Sequence, residues 1–258
     1  MTEVTCKLGA HQQLAGIVTE AGGGRGFVLI SAGLLPKFGP YRLYVQLARR
    51  LAASGITTLR FDLSAIGDSG HEHRATLEAR TGLEIGAAVD HLMATYRLDS
   101  VVVGGLCSGA EDAFRYAEHD PRVAGAVLID PFAYRTPGWH VRNVGYRVAR
   151  RVLRAAGVYE PHAIDTTGRL IKYRYMDHAD SSRILRAVLA RRGRVHFVYT
   201  GGTRSSFNHP GQLAAMFPEI SLGDRVSLDH FPRMDHTQLL EEDRRRVVDS
   251  IATRLERW

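Results

Sequence analysis

The alternation of apolar and polar positions divides this chain into strand-length apolar runs separated by segments of helical spacing. Residues 4–20 alternate loosely through Val4, Cys6, Leu8, Leu14, Ile17 and Val18, which predicts an antiparallel hairpin at a sheet edge. The runs 26–33, 56–63, 101–106, 123–130, 195–200 and 226–231 are short, apolar and bounded by turn residues, as buried strands are. Between them apolar residues recur every three or four positions. Residues 41–54 repeat apolar residues at helical spacing (Leu43, Val45, Leu47, Leu51), and residues 79–96 offer Leu83, Ala87, His91 and Met93 for burial. Further helices are expected at 111–119, 210–217 and 236–258. Such alternation predicts one mostly parallel sheet with helices on its faces.

The rhythm breaks after Asp130 for about 60 residues, in the manner of an insertion. Within it, residues 146–158 read as a helix with Val148, Val152, Leu153 and Ala156 apolar and Arg147, Arg150, Arg151 and Arg154 basic. A second helical pattern covers 181–192. The expected organisation is a core made of 1–131 and 193–258, with 132–192 as a basic helical lid.

Charge sharpens that division. The net charge is +7, yet residues 132–195 hold 14 Lys and Arg against 4 Asp and Glu, leaving 20 basic and 23 acidic residues elsewhere. A local balance of +10 points to an anionic partner or substrate at the lid, and not to nucleic acid: the acidic face of an acyl carrier protein, a coenzyme A phosphate or an anionic membrane surface, with a solvated helical cap as the alternative. No run approaches the roughly 18 apolar residues of a membrane helix, and Met1-Thr2-Glu3-Val4 does not start a signal peptide. Two cysteines argue against a disulfide framework and for a reducing cytoplasm. The Gly22-Gly23-Gly24 turn lacks the Gly-Lys-Ser/Thr of a phosphate loop, so no nucleotide cofactor is expected. His71-Glu72-His73 has no third ligand nearby and reads as a solvated loop, not a metal site.

The chemistry concentrates at 101–110. A β-branched run meets Gly104-Gly105-Leu106-Cys107-Ser108-Gly109, followed by a helical pattern. Gly105-x-Cys107-x-Gly109 is a strand–turn–helix elbow carrying cysteine where serine is usual. The glycines suit a strand and helix too close for a Cβ, with a strained apex. A helix beginning at Ser108 turns N–H groups and its positive end toward the sulfur, which favours the thiolate. Cys6 reads as an ordinary strand residue.

With the motif Arg60-Phe61-Asp62-Leu63-Ser64-Ala65-Ile66-Gly67-Asp68-Ser69, the elbow, and Asp235-His236-Thr237 in this order, the chain resembles the α/β-hydrolase superfamily over its full length. Leu34-Leu-Pro-Lys-Phe-Gly-Pro-Tyr-Arg-Leu-Tyr together with Gly105-Leu-Cys-Ser-Gly-Ala is similar to a bacterial subgroup associated with exosortase, exopolysaccharide and natural-product clusters. Cysteine also occupies the elbow in dienelactone hydrolases and polyhydroxyalkanoate synthases.

The resemblance implies roles. Cys107 is the nucleophile, and His236, after the last strand, its base; the competing role for His236 is a cap of the final helix. The family usually carries its acid after the strand 195–200, where this chain has Gly201-Gly-Thr-Arg-Ser-Ser-Phe-Asn208 and no carboxylate. Asp130, at the end of the preceding strand, is the alternative orienter; Asn208, or no residue, are the others. Oxyanion donors are implied at the Leu34 and Ser108 backbone N–H groups, each worth about 3 kcal/mol in a transition state. His230 reads as a sheet residue, and Asp62 and Asp68 as loop-holding hydrogen bonders. The expected activity is acyl transfer or hydrolysis through an acyl-cysteine intermediate, on a small acyl substrate linked to coenzyme A or a carrier protein. Acyl transfer to another acceptor, cyclisation, and a non-catalytic binding protein of the same fold are the rivals.

Overall fold

The computed structural model describes residues 1–71, 77–156 and 176–258. Eight strands form one sheet: β1 Glu3–Leu8, β2 Leu14–Thr19, β3 Arg25–Ile30, β4 Ile56–Phe61, β5 Ser100–Leu106, β6 Val123–Ile129, β7 Arg194–Thr200 and β8 Val226–Phe231. Their order is β1-β2-β4-β3-β5-β6-β7-β8. The hairpin β1–β2 and the β2–β4 pair are antiparallel; every later pairing is parallel.

Period-two burial builds both faces of this sheet. In β3, Val28 and Ile30 face one core cluster while Phe27 and Leu29 face the other, and all four are fully buried. The first cluster is closed by α2 Leu77–Tyr96, α3 Ser108–His119 and α5 His178–Ala190; the second by α1 Leu43–Ala53 and α7 Glu241–Glu256. Two further helices are α4 Pro137–Ala155 and the short α6 Gln212–Met216. The result is a helix–sheet–helix sandwich with the parallel strands ending together on one side.

Several elements depart from the sequence pattern. Helix α2 buries Ile85, Ala88, Val89 and Leu92, while Leu83 is exposed. Of the residues expected at its buried face, Ala87 and His91 are half-buried and Met93 packs against the core, and only Leu83 is exposed. Helix α4 begins nine residues before the position expected, at Pro137, where the Thr136 hydroxyl accepts the Trp139 N–H at 3.3 Å. Threonine ahead of proline at the first turn is a helix start, obscured in the sequence by the glycines at 138 and 145. Val158 lies outside the described residues. Helix α5 belongs to the core layer, with Ile184, Leu185 and Val188 buried against it; Asp177 caps it by accepting the Asp180 N–H at 2.8 Å.

The last helix starts at Glu241, not at 236. Glu241, Glu242 and Asp243 fill its first turn and complement its positive end. His236 therefore sits in the loop before it and is not its cap.

At the centre of the sheet, β5 passes directly into α3. A Cβ on Gly105 would lie 2.8 Å from the Ile30 carbonyl oxygen and 2.7 Å from the Gly109 carbonyl carbon, and one on Gly109 would lie 2.5 Å from the Ile30 oxygen. These are backbone atoms at the end of β3 that cannot swing away. Gly109→Ala is expected to lower the unfolding free energy by about 1–3 kcal/mol in urea titrations. Gly145→Ala in α4, where an added Cβ meets nothing within 4 Å, is expected to be neutral or slightly stabilising.

Candidate active site

Cys107 stands at the apex of the turn with φ 54° and ψ −119°, a left-handed conformation unfavourable for a side chain and held here by its surroundings. Its N–H donates to the Ile129 carbonyl at 2.8 Å, tying the apex to β6. Beneath it the fully buried Tyr44 acts as a bolt. Its hydroxyl donates to the Ile30 carbonyl at 3.0 Å and accepts the Leu106 N–H at 2.8 Å, so the ends of β3 and β5 are fixed to each other. Burial drives the Tyr44 hydroxyl well above the usual phenol range and keeps it neutral. In the sequence Tyr44 closes the 34–44 motif, but nothing there shows which groups its hydroxyl meets.

His236 and Asp130 meet this sulfur. The His236 Nδ1 lies 2.8 Å from Asp130 Oδ2, and Cys107 is near enough to act on the ring's protonation. Cys107 is half-buried and the His236 side chain is 26% exposed, so the pair opens to solvent. Asp130 is buried, at the end of β6, with φ 46°. Thr200 grips it twice: its N–H donates to Oδ1 and its hydroxyl to Oδ2, both at 2.6 Å. Sequence reasoning missed Thr200, which stands at the end of β7 where an acid is usual.

The loop after β7 shows why that site carries no carboxylate. A Cβ on Gly202 would lie 2.5 Å from His236 Cβ and 2.7 Å from its Cα, and one on Gly201 would lie 2.5 Å from the Pro232 carbonyl oxygen. The histidine loop rests directly on this glycine pair. Asp235 holds that loop in shape by accepting the Thr237 and Leu239 N–H groups at 2.8 and 2.9 Å.

Asn208 is engaged elsewhere. It accepts from Arg142 Nε at 2.9 Å and donates to the Trp139 carbonyl at 3.2 Å, pinning α4 and leaving the imidazole to Asp130. The Ser108 hydroxyl accepts the Gly33 N–H at 2.7 Å; it joins the loop after β3 to the start of α3 instead of turning into the helix. Leu34 follows in that loop, its side chain exposed. The loop is anchored by buried Lys37, whose ammonium pairs with Asp62 at 2.7 Å and Asp68 at 2.5 Å. The two aspartates thus hold the loops around the cleft, and Lys37 is their unforeseen partner. His230 lies in β8 and Cys6 in β1. Glu72 and His73 fall outside the described residues, and no group of three or more His, Cys, Asp or Glu placed to hold a metal occurs among the described ones.

A parallel sheet ordered in this way, with an elbow at the end of β5 and a histidine after β8, matches many solved structures. This is the α/β-hydrolase fold. An esterase from Pyrococcus furiosus superposes with a TM-score of 0.63 at 15% identity, covering 100% of this chain and 91% of its own. A Xanthomonas campestris serine hydrolase described as lacking a lid gives 0.62 at 12% identity, covering 100% and 95%. An α/β hydrolase from Penicillium gives 0.61 at 17%, covering 99% and 98%. No protein-family model matches the sequence, and no curated protein matches it. Within the α/β-hydrolase fold, then, the chemistry of this chain rests on its own side chains.

The electrostatics of the histidine follow from its partners. Burial is the largest influence and disfavours the charged ring, but hydrogen bonds to Asp130 and Cys107, and the charges of both, outweigh it and push the ring up to about 10. Because the folded value exceeds the usual 6.5, His236 contributes its stability in full below about 6.5 and loses it as pH rises through about 10. Asp130→Asn removes the charge and the charged acceptor. His236 is then expected to titrate well below 10 by NMR, and the fall in the urea midpoint between pH 6.5 and 10 should flatten. An unchanged titration would detach Asp130 from the ring.

Proposed function

We propose that the chain is an acyl-transfer enzyme, hydrolase- or thioesterase-like, with Cys107 as nucleophile, His236 as proton shuttle and Asp130 as the residue that orients the ring. The observation that carries this reading is the Asp130–His236 hydrogen bond, on a ring that also feels Cys107 at the apex of the elbow. A cysteine nucleophile needs less activation than a serine one.

The sulfur attacks the acyl carbonyl carbon, and the carbonyl electron pair moves onto oxygen. The Leu34 and Ser108 N–H groups are the donors for that oxyanion. Support comes from the Gly33–Ser108 hydrogen bond, which sets the two amide-bearing segments side by side, and from Ser108 being the first residue of α3, where a helix leaves its N–H groups unused. The intermediate collapses and expels the leaving group, which takes the proton from His236. Water then gives a proton to His236 and attacks the acyl-cysteine, releasing the acid and restoring the cysteine thiolate beside the protonated ring.

A thiol nucleophile exchanges readily with thioesters, since the leaving and attacking sulfurs are alike. We therefore assign an acyl thioester or comparably activated acyl group as substrate, with residues 132–192 as the basic segment flanking its entry. The similarity to hydrolases of exopolysaccharide and natural-product clusters fits an activated biosynthetic acyl group, on coenzyme A or a carrier protein.

Intact-mass measurement after exposure to a short-chain acyl thioester is the test. The wild-type chain is expected to gain one acyl group, mapped to Cys107, and to lose it on standing. Cys107→Ala should gain none, and His236→Ala should acylate about 10²–10⁴-fold more slowly. Absence of an adduct on a folded wild-type chain would leave a binding protein, not a catalyst.

A further inference from the structure

Helix α4 turns its apolar residues outward. One face is fixed to the core: Trp139 is buried and its indole N–H donates to the Arg204 carbonyl at 3.3 Å. The Arg204 guanidinium lies 3.5 Å from the centroid of the Tyr146 ring, and Arg142 reaches Asn208. The other face carries Val141, Val144, Val148 and Val152, each 59–74% exposed. At 3.6 residues per turn these four occupy an arc of roughly 80°, in a row about 17 Å long. Their spacing of three, four and four residues completes an eleven-residue repeat. Such a row runs almost straight along the helix, whereas the heptad seam of a left-handed coiled coil winds around it.

Charge flanks the row on one side. Arg147 and Arg151 are exposed, and neither makes an ion pair or hydrogen bond among the described residues. The helix has five arginines and no acidic residue in its sequence. We propose that this face of α4 lies on an anionic phospholipid bilayer, with the valines among the outer acyl carbons and Arg147 and Arg151 at the headgroup phosphates. An amphipathic helix of modest overall hydrophobicity with a basic flank has the physical character of an interfacial helix.

Other occupants fit less well. A second copy of this chain would bring two five-arginine helices together. An acidic protein surface would answer the arginines but leave four valines against polar groups. Two more sets of exposed apolar residues share the carboxyl end of the sheet: Leu34 and Phe38 after β3, and Leu239 and Leu240 after β8. Arg244 joins the second set to the first loop, donating to the Gln238 and Leu239 carbonyls and lying 5.7 Å from the Tyr41 ring centroid. Because α4 also leaves from that end, after β6, a bilayer under the valines places the Cys107 cleft at the lipid surface. The proposal concerns the surface and stands whether or not Cys107 turns over.

Co-sedimentation of the full chain with vesicles of phosphatidylcholine and phosphatidylglycerol (3:1), against pure phosphatidylcholine, tests it. Binding to the anionic vesicles at low salt is expected, weakened several-fold in high salt. Val144→Asp with Val148→Asp should reduce partitioning at least ~10-fold and leave the melting temperature and Cys107 alkylation unchanged; Val144→Ser with Val148→Ser should act in the same direction, more weakly. No binding to anionic vesicles overturns the proposal. So does binding that survives both valine pairs, which would be adsorption through arginine alone. A dimer in solution abolished by the aspartates would assign the face to a second copy. A marked drop in melting temperature would show the stripe packed within this chain, and binding to an acidic carrier protein without vesicle binding would assign it to a protein partner.

Discussion

The structure depends on one close approach, between the carbonyl end of β3 and the junction of β5 with α3. The Ile30 oxygen accepts the Tyr44 hydroxyl and occupies the space a Cβ would need at Gly105 and Gly109. With glycine at both positions the helix can start immediately after the strand. The chain must then turn within a single residue, and that residue, Cys107, takes a left-handed conformation. Its sulfur is presented at the sheet's carboxyl end, next to the first turn of a helix, because the backbone has no other way through. Strain of this kind costs on the order of 1–3 kcal/mol, offset by the surrounding hydrogen bonds from Cys107 to Ile129 and from Leu106 to Tyr44.

A second approach decides where the acid can be. The histidine loop lies on Gly201 and Gly202 so closely that a Cβ at Gly202 would strike His236 and one at Gly201 the Pro232 and Met234 carbonyl oxygens. A carboxylate after β7 would have to reach around that contact. The adjacent strand offers a shorter route: Asp130 leaves β6 with positive φ and reaches His236 directly, while Thr200 supplies both donors that keep the buried carboxylate satisfied. The loop after β7 thus has glycines that admit the histidine, and Thr200 holds the carboxylate that reaches the ring from β6.

The helices α4 and α5 obey different physics. Helix α5 buries its apolar residues in the core layer, but α4 is held by aromatic and arginine contacts along one side and shows valines on the other. Apolar residues exposed in a row, in a helix without acidic residues, cannot be explained by folding of the core.

The sequence determined much of this. Period-two runs fix buried strands because side chains alternate across a sheet, and strand–helix alternation fixes parallel pairing, so the strands read from residues 26–33 through 226–231 recur in the structure with small changes at their ends. Gly105, Cys107 and Gly109 were legible because an elbow is a local backbone event, written in five residues. What stayed illegible was non-local. Which side of α2 is buried, where α4 begins, and that Tyr44, Lys37 and Thr200 hold the site depend on contacts between residues far apart in the chain, which periodicity does not encode. The choice between Asp130 and Asn208 was open in the sequence for the same reason. In the structure Asp130 and His236, 106 positions apart, stand 2.8 Å from each other; a hydrogen bond is decided by distance in space and local pattern carries no record of it.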